Sequence, residues 1–224
     1  MENLYRAFEQ LNIAASEEIM TKFRKYMEMV LDWNEKINLT AIKEENEFVK
    51  KHFIDSILCA DFEEVINSEK VIDVGTGAGF PGIPLALIFP AKQFTLIDAT
   101  RKKLNVLTEI TQTLGMTNVK MIHARAEDLA RNEEYREKFD LCVSRAVANL
   151  TVLLGYCLPF VTAGGSFISY KGPEADKEIK EAEGVIKALG GEIAGVRKAS
   201  LEGFDLDHRF VLIKKRMFHV KHYR

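Results

Sequence analysis

From Lys70 onward, short apolar runs rich in β-branched residues alternate with stretches of helical periodicity: KVIDV, QFTLID, VKMIHA, FDLCVS, GGSFISY, GEIAGVRKA and RFVLIKK. Most of these runs are continuously apolar, the pattern of strands buried on both faces of a parallel sheet. Seven strands with intervening helices predict a doubly wound, mostly parallel α/β domain with helices on both faces. Only the loop SLEGFDLDH separates the sixth run from the seventh, and a connection without a helix predicts an antiparallel final pair. Before Lys70 the pattern is helical: LYRAFEQLNI and SEEIMTKFRKYMEMVLDWNEKI carry apolar residues at helical spacing, with Ser16 placed to cap the second. The expected organisation is an N-terminal helical extension over 1–66 packed on the core, an α/β domain over 67–216, and a short tail over 217–224.

Composition agrees with one ordinary domain: 224 residues, 47% hydrophobic and 29% charged. No run is apolar for long enough to span a bilayer, and MENLYRAFEQ lacks the basic-then-apolar order of a secretory leader, so a cytoplasmic address is expected. Cys59, Cys142 and Cys157 are scattered, with no C-x-x-C or Cys/His pairing. Reduced, buried thiols and no metal site follow. The net charge of −2 argues against a nucleic-acid partner, but its distribution argues the other way. Five of the 31 basic residues and none of the 33 acids lie in the last eleven positions, KKRMFHVKHYR. A basic end on an acidic body is the asymmetry expected where that end meets phosphate, which makes Lys214, Lys215 and Arg216 candidates for an RNA contact.

The strongest local signal runs from Val71 to Gly82, VIDVGTGAGFPG, a strand leading into glycines and then into the helical IPLALIF. Glycines let the backbone turn sharply and approach a ligand where open α/β sheets bind one. Gly77, Gly79 and Gly82 spell G-x-G-x-x-G, which keeps a nicotinamide dinucleotide open as the ligand. Asp73 and the tighter G-x-G-x-G of Gly75, Gly77 and Gly79 favour a methyl donor instead, the acid orienting the loop and helping to hold a cationic amino-acid tail. Pro81 and Pro84 point the same way, since they remove backbone donors a pyrophosphate would use. Asp98 ends the next strand roughly twenty residues on, where a carboxylate can accept from ribose hydroxyls of either cofactor. Arg125-Ala-Glu-Asp128 follows the third strand, placing a small residue and acids where an adenine could be read.

The fourth strand leads into Arg145-Ala-Val-Ala148, with no side-chain acceptor and proline pair of the kind that grips an exocyclic amine. Carbon methylation of a pyrimidine needs a cysteine nucleophile, and neither Cys142 nor Cys157 is well set for attack. Nucleophiles with a ready lone pair remain, guanine N7 among them, and these need positioning rather than a general base. Arg145 and Lys171 are the positioning candidates, at strand ends. His208 and Arg209 open the last strand and could meet phosphates or a guanine edge in the same cleft. Arg145→Ala is expected to impair transfer more than folding, because a strand-end cation contacts ligand rather than core.

These residues together resemble the bacterial RsmG family, also called glucose-inhibited division protein B, of 16S ribosomal RNA methyltransferases. The resemblance covers nearly the whole chain: WNEKINLTAI from Trp33, HFIDSIL from His52, DVGTGAGFPGIPLA from Asp73, RAEDL from Arg125, SRAVANL from Ser144 and YKG from Tyr170. It implies a Rossmann-like S-adenosylmethionine-dependent methyltransferase fold and N7 methylation of one guanine in a decoding-region loop of 16S rRNA. Cofactor contacts are implied at Gly75, Phe80, Ala126, Glu127 and Arg145, while Asp98 takes the ribose by its position in the wider superfamily. Where a Glu-Arg-like pair is expected, this chain carries Asp207-His208-Arg209. A monomer acting on 16S rRNA is expected, with a nicotinamide-dependent oxidoreductase or a non-catalytic RNA-binding assembly factor as the alternatives.

Overall fold

Each continuous apolar run divides its side chains between two cores, and this is why the runs assemble into one sheet covered on both faces. The computed structural model describes residues 1–145, 147–198, 200–204 and 208–216, so the expected tail over 217–224 and the Asp207 position lie outside the described residues. The strands are β1 (Lys70–Val74), β2 (Gln93–Asp98), β3 (Val119–His123), β4 (Phe139–Arg145), β5 (Val161–Lys171), β6 (Gly191–Lys198) and β7 (Arg209–Lys215). They lie in the order β3-β2-β1-β4-β5-β7-β6. Neighbours among β1 to β5 are parallel. The expected antiparallel pair is present, and β7 is antiparallel to β5 as well, because it inserts between β5 and β6. In β7, Phe210 and Leu212 enter one core and Val211 and Ile213 the other, the period of two that a doubly covered strand requires.

The first core is covered by α1 (Glu2–Gln10), α2 (Glu17–Asn34), α3 (Glu45–Phe48), α4 (Asp55–Ile57), α5 (Glu63–Ile66), α6 (Gly82–Ile88) and α7 (Arg101–Thr113). The second lies under α8 (Ala126–Leu129), α9 (Leu150–Cys157) and α10 (Ala175–Ala188). Ser16 caps α2 as its position predicts, accepting from the Ile19 amide at 3.2 Å. Between α3 and α4 the residues Val49–Ile54 wind more widely, as a π-type turn, a device often found beside functional sites. Among the described residues no helix is long and apolar enough to cross a membrane.

Two features of this arrangement position a site. The strand order reverses beside β1, so a crevice opens at the carboxyl ends of β1, β2 and β4, the switch point at which open α/β sheets bind ligands. α7 starts at that crevice with Arg101-Lys102-Lys103, no acid in its first turn, and no side-chain cap from Thr100. Three cations there oppose the positive end of the helix macrodipole.

Candidate active site

The glycine loop is held from three directions. From below, the fully buried Asp73 accepts through Oδ2 from the Thr76 hydroxyl at 2.7 Å and the Gly82 amide at 2.9 Å. From the N-terminal helices, the Tyr26 hydroxyl donates to the Ala78 carbonyl at 2.6 Å. From β2, the Asp98 carboxylate accepts from the Gly77 amide at 2.9 Å. Gly75, Gly77 and Gly79 all take positive φ, at 74°, 60° and 97°, which only glycine adopts without strain. Asp73 therefore orients the loop, as its position in the sequence suggests. It is not among the residues that line the crevice, and its Oδ1 is buried with no hydrogen-bond partner among the described residues.

Burial pushes the Asp73 carboxyl up to about 6 from 3.8, more than its two hydrogen bonds pull it down. The stability contributed by the neutral acid is present below the ordinary carboxyl value and is lost as pH rises through the folded value. Asp73→Asn cannot ionise, so its stability relative to the native protein is expected to grow between about pH 4 and about pH 6 and then level off. Urea titrations across that range check this, and a constant difference would refute it.

The crevice has two lobes, cavities of about 350 and 370 Å³ that share Gly75, Asp98, Ala99 and Val147. One is walled mainly by Ile97, Ala124, Ala126 and Tyr156, with Arg125 and Glu127 at its side. The other is bounded by Leu39, His52, Phe80, Lys103 and Arg145. Asp98 stands between them, its Oδ1 accepting from the Thr100 amide at 2.7 Å, and each of its oxygens keeps a further lone pair. Most backbone donors of the loop are already used. The amides of Gly75 and Thr76 bond the Ile97 carbonyl, and those of Gly79 and Phe80 the Thr76 carbonyl, all at 2.9–3.0 Å. A pyrophosphate would find an acid and almost no amides here. A ribose diol and an apolar purine fit the donor set, so the residues present suit S-adenosylmethionine.

Arg145, at the end of β4, reaches Asp55 in an ion pair and the Lys51 carbonyl at 3.0 Å. Its other amino group meets His52 Nδ1 at 3.4 Å, and its guanidinium lies 5.3 Å from the Phe80 ring centre. His208 Nδ1 lies 3.1 Å from Asp55 Oδ1, although that oxygen has no aligned hydrogen-bond donor among the described residues. His52 stacks on Phe80 with ring centres 4.4 Å apart and planes 5° from parallel. Burial first, and Arg145 second, push its pKa down to about 3, so the ring is neutral. With Nδ1 facing a guanidinium donor, the assigned tautomer carries its proton on Nε2, directed to the Thr40 hydroxyl at 2.7 Å.

Arg145 is thus both a crevice residue and half of a buried ion pair, with Asp55 only 3% exposed. Arg145→Ala, expected from the sequence to impair transfer more than folding, would also strand a buried carboxylate and so carry a stability cost. The other basic candidates are corrected. Lys171 is buried, its ammonium spent on Glu178 and the Ala148 carbonyl, both within 2.8 Å, so it braces α10 and the turn before α9 rather than facing RNA. Arg209 lies at the crevice end of the sheet but pairs with Asp176. Lys214, Lys215 and Arg216 lie at the opposite edge, roughly 20 Å along β7 from Arg209, because this strand runs antiparallel to β5. There Lys215 pairs with Glu137 and Arg216 with Glu192.

Tyr26, His52, Asp55 and Thr76 carry much of the site's order, and the residue-level reading assigned them no role. His52 and Asp55 had a signal, since three residues apart on a helix they share a face. Tyr26 had none. The three cysteines are buried and free of disulfides. Burial pushes the Cys59 thiol up to about 12 and Cys142 well above its ordinary value, so neither is a nucleophile. Among the described residues no cluster of His, Cys, Asp or Glu could hold a metal ion.

Comparison with known proteins agrees with this geometry. The family profile described as GidB, rRNA small subunit methyltransferase G, matches residues 19–203. The chain is 46% identical to the ribosomal RNA small subunit methyltransferase G of Clostridium novyi (strain NT), over 93% of this chain and 86% of that protein. With its counterpart from Clostridium perfringens (strain 13 / Type A), identity is 45% over 94% and 88%. Among solved structures, the ribosomal protein L11 methylase from Lactobacillus delbrueckii subsp. bulgaricus matches with a TM-score of 0.55 and 19% identity, covering 75% of this chain and 79% of that one. M. jannaschii TYW2, solved in complex with AdoMet, matches with a TM-score of 0.53 and 21% identity, over 67% and 70%. Identities this low speak for the Rossmann-like methyltransferase fold alone, whereas the profile and the relatives reach further: the chain belongs to the rRNA small subunit methyltransferase G family.

Proposed function

We propose that this protein transfers a methyl group from S-adenosylmethionine to N7 of one guanine in 16S rRNA, acting in the cytoplasm as a monomer. The observation that carries the cofactor reading is the crevice around Asp98, which offers a carboxylate and an apolar wall while most amides of the glycine loop already have acceptors within the protein. Asp98 has the lone pairs to accept from a ribose, and the lobe of Ile97, Ala124 and Ala126 suits the adenine, with Glu127 at its edge. Bound there, the cofactor supplies an electrophilic methyl carbon on a sulfonium.

The second lobe, with Phe80, His52 and Arg145, is where the reading places the target base. The imidazole in it is ill suited to remove a proton, since His52 is a weak base with both ring nitrogens engaged, and the reading gives Asp98, which the two lobes share, to the ribose. That suits N7, whose in-plane lone pair needs no deprotonation, so orientation provides the catalysis. A dinucleotide-dependent oxidoreductase would need phosphate donors the loop does not offer. Mapping 7-methylguanosine in 16S rRNA with and without the gene tests the proposal. We expect one modified guanine to vanish, and full retention of every 7-methylguanosine would end it. Retained cofactor binding without transfer to any RNA would favour the assembly-factor alternative.

A further inference from the structure

We propose that the RNA backbone docks on a basic rim made by Arg101, Lys102, Lys103 and Arg125, and not on Lys215 and Arg216 at the far end of β7. This rests on reading the crevice as the site of RNA methylation. Position is the first support. Lys103 lines one lobe and Arg125 the other, and Arg101 and Lys102 stand exposed beside them where α7 leaves the end of β2. Availability is the second. None of the four makes an ion pair among the described residues, whereas Arg145, Lys171, Arg209, Lys215 and Arg216 each answer an acid.

The third support is electrostatic. A helix start is stabilised by acids and a side-chain cap, and α7 has neither, presenting three cations where the macrodipole disfavours them. A local rule broken without a local benefit marks a functional surface more often than a structural one. A polyanion lying across the crevice mouth would supply the missing negative charge. The chain as a whole has a net charge of −2, so this patch is set against its surroundings rather than part of a general basicity.

The test uses the full chain, a 16S rRNA transcript and a salt series. Arg101→Ala with Lys102→Ala removes two rim cations that do not line the crevice. Lys177→Ala with Lys180→Ala removes two exposed cations from α10, and a third variant lacks residues 217–224. The rim variant is expected to lower the slope of log affinity against log salt by about 1.4–1.8, at 0.7–0.9 per lost phosphate contact. Its cofactor affinity should hold, and its melting temperature should stay level or rise as the charge–dipole conflict is relieved. The α10 variant and the truncation should keep the native slope.

An unchanged slope in the rim variant, an equal loss in the α10 variant, or a loss confined to the truncation would each overturn the inference. A fall in melting temperature would overturn it too, by showing that the cations serve the fold. Absence of methyl transfer by the native protein would instead count against the proposed function, while the salt comparison still judges the rim as a polyanion surface.

Discussion

Arg145→Ala is expected to destabilise the protein by about 3–5 kcal/mol, in addition to impairing methyl transfer. The cost comes from the carboxylate left behind. Asp55 is almost fully buried, and Arg145 is its principal partner, with His208 close but out of line for a hydrogen bond. Breaking a buried pair from one side leaves a charge in a medium of low dielectric, which costs more than removing both partners. A double-mutant cycle separates the two roles of the arginine. Asp55→Asn combined with Arg145→Ala should recover much of the lost stability in urea titrations, since a neutral amide replaces the stranded charge. Activity should stay low in the double variant, because the cation beside Phe80 and His52 is still missing. If Arg145→Ala unfolded at the native urea midpoint, Asp55 would not depend on it, and the ion pair would carry no weight in the fold.

Gly79→Ala is the second substitution with a large expected effect. Its φ of 97° strains any side chain, and an added Cβ would stand 2.4 Å from the Tyr26 hydroxyl and 2.7 Å from Ile83 Cδ1. Backbone strain of this kind costs about 1–3 kcal/mol, and forced overpacking adds a similar amount. Moving Tyr26 aside would not relieve it cheaply, because its hydrogen bond to the Ala78 carbonyl pins the loop. The loop should shift, with a lower melting temperature and weaker S-adenosylmethionine binding by calorimetry. Gly77→Ala is the control. It carries positive φ as well, but its nearest neighbour is the Gly75 carbonyl at 4.0 Å, so only the backbone term applies. Equal effects at the two positions would mean that the contact with Tyr26 and Ile83 adds nothing.

The two glycines look alike in the sequence, and so do the cations, which marks where reading from the chain runs out. The strand runs were legible because a strand with two covered faces must be apolar at consecutive positions, and β7 with Phe210 to Ile213 shows this plainly. The position of Asp98 in the crevice was legible because it depends on ending the strand after the glycine loop, a matter of spacing along the chain. Lys171 and Lys215 were misread because charge in a sequence says nothing about partners. Glu178 lies seven residues from the first and Glu137 lies 78 from the second, and both pairs are made by the folding of the sheet.

By itself the sequence determined the class of fold, the glycine turn and the acid that faces it, since each follows from local periodicity or backbone freedom over a few neighbouring residues. Only the tertiary structure decided which cations are spent and which stand free. The antiparallel entry of β7 carries Lys214, Lys215 and Arg216 to the edge away from the crevice, and it brings His208 to Asp55 at the other. The physical reason is range: hydrophobic patterning acts between near neighbours on the chain, while an ion pair depends on the distance between charges in space, which the packing of helices and loops on the sheet sets.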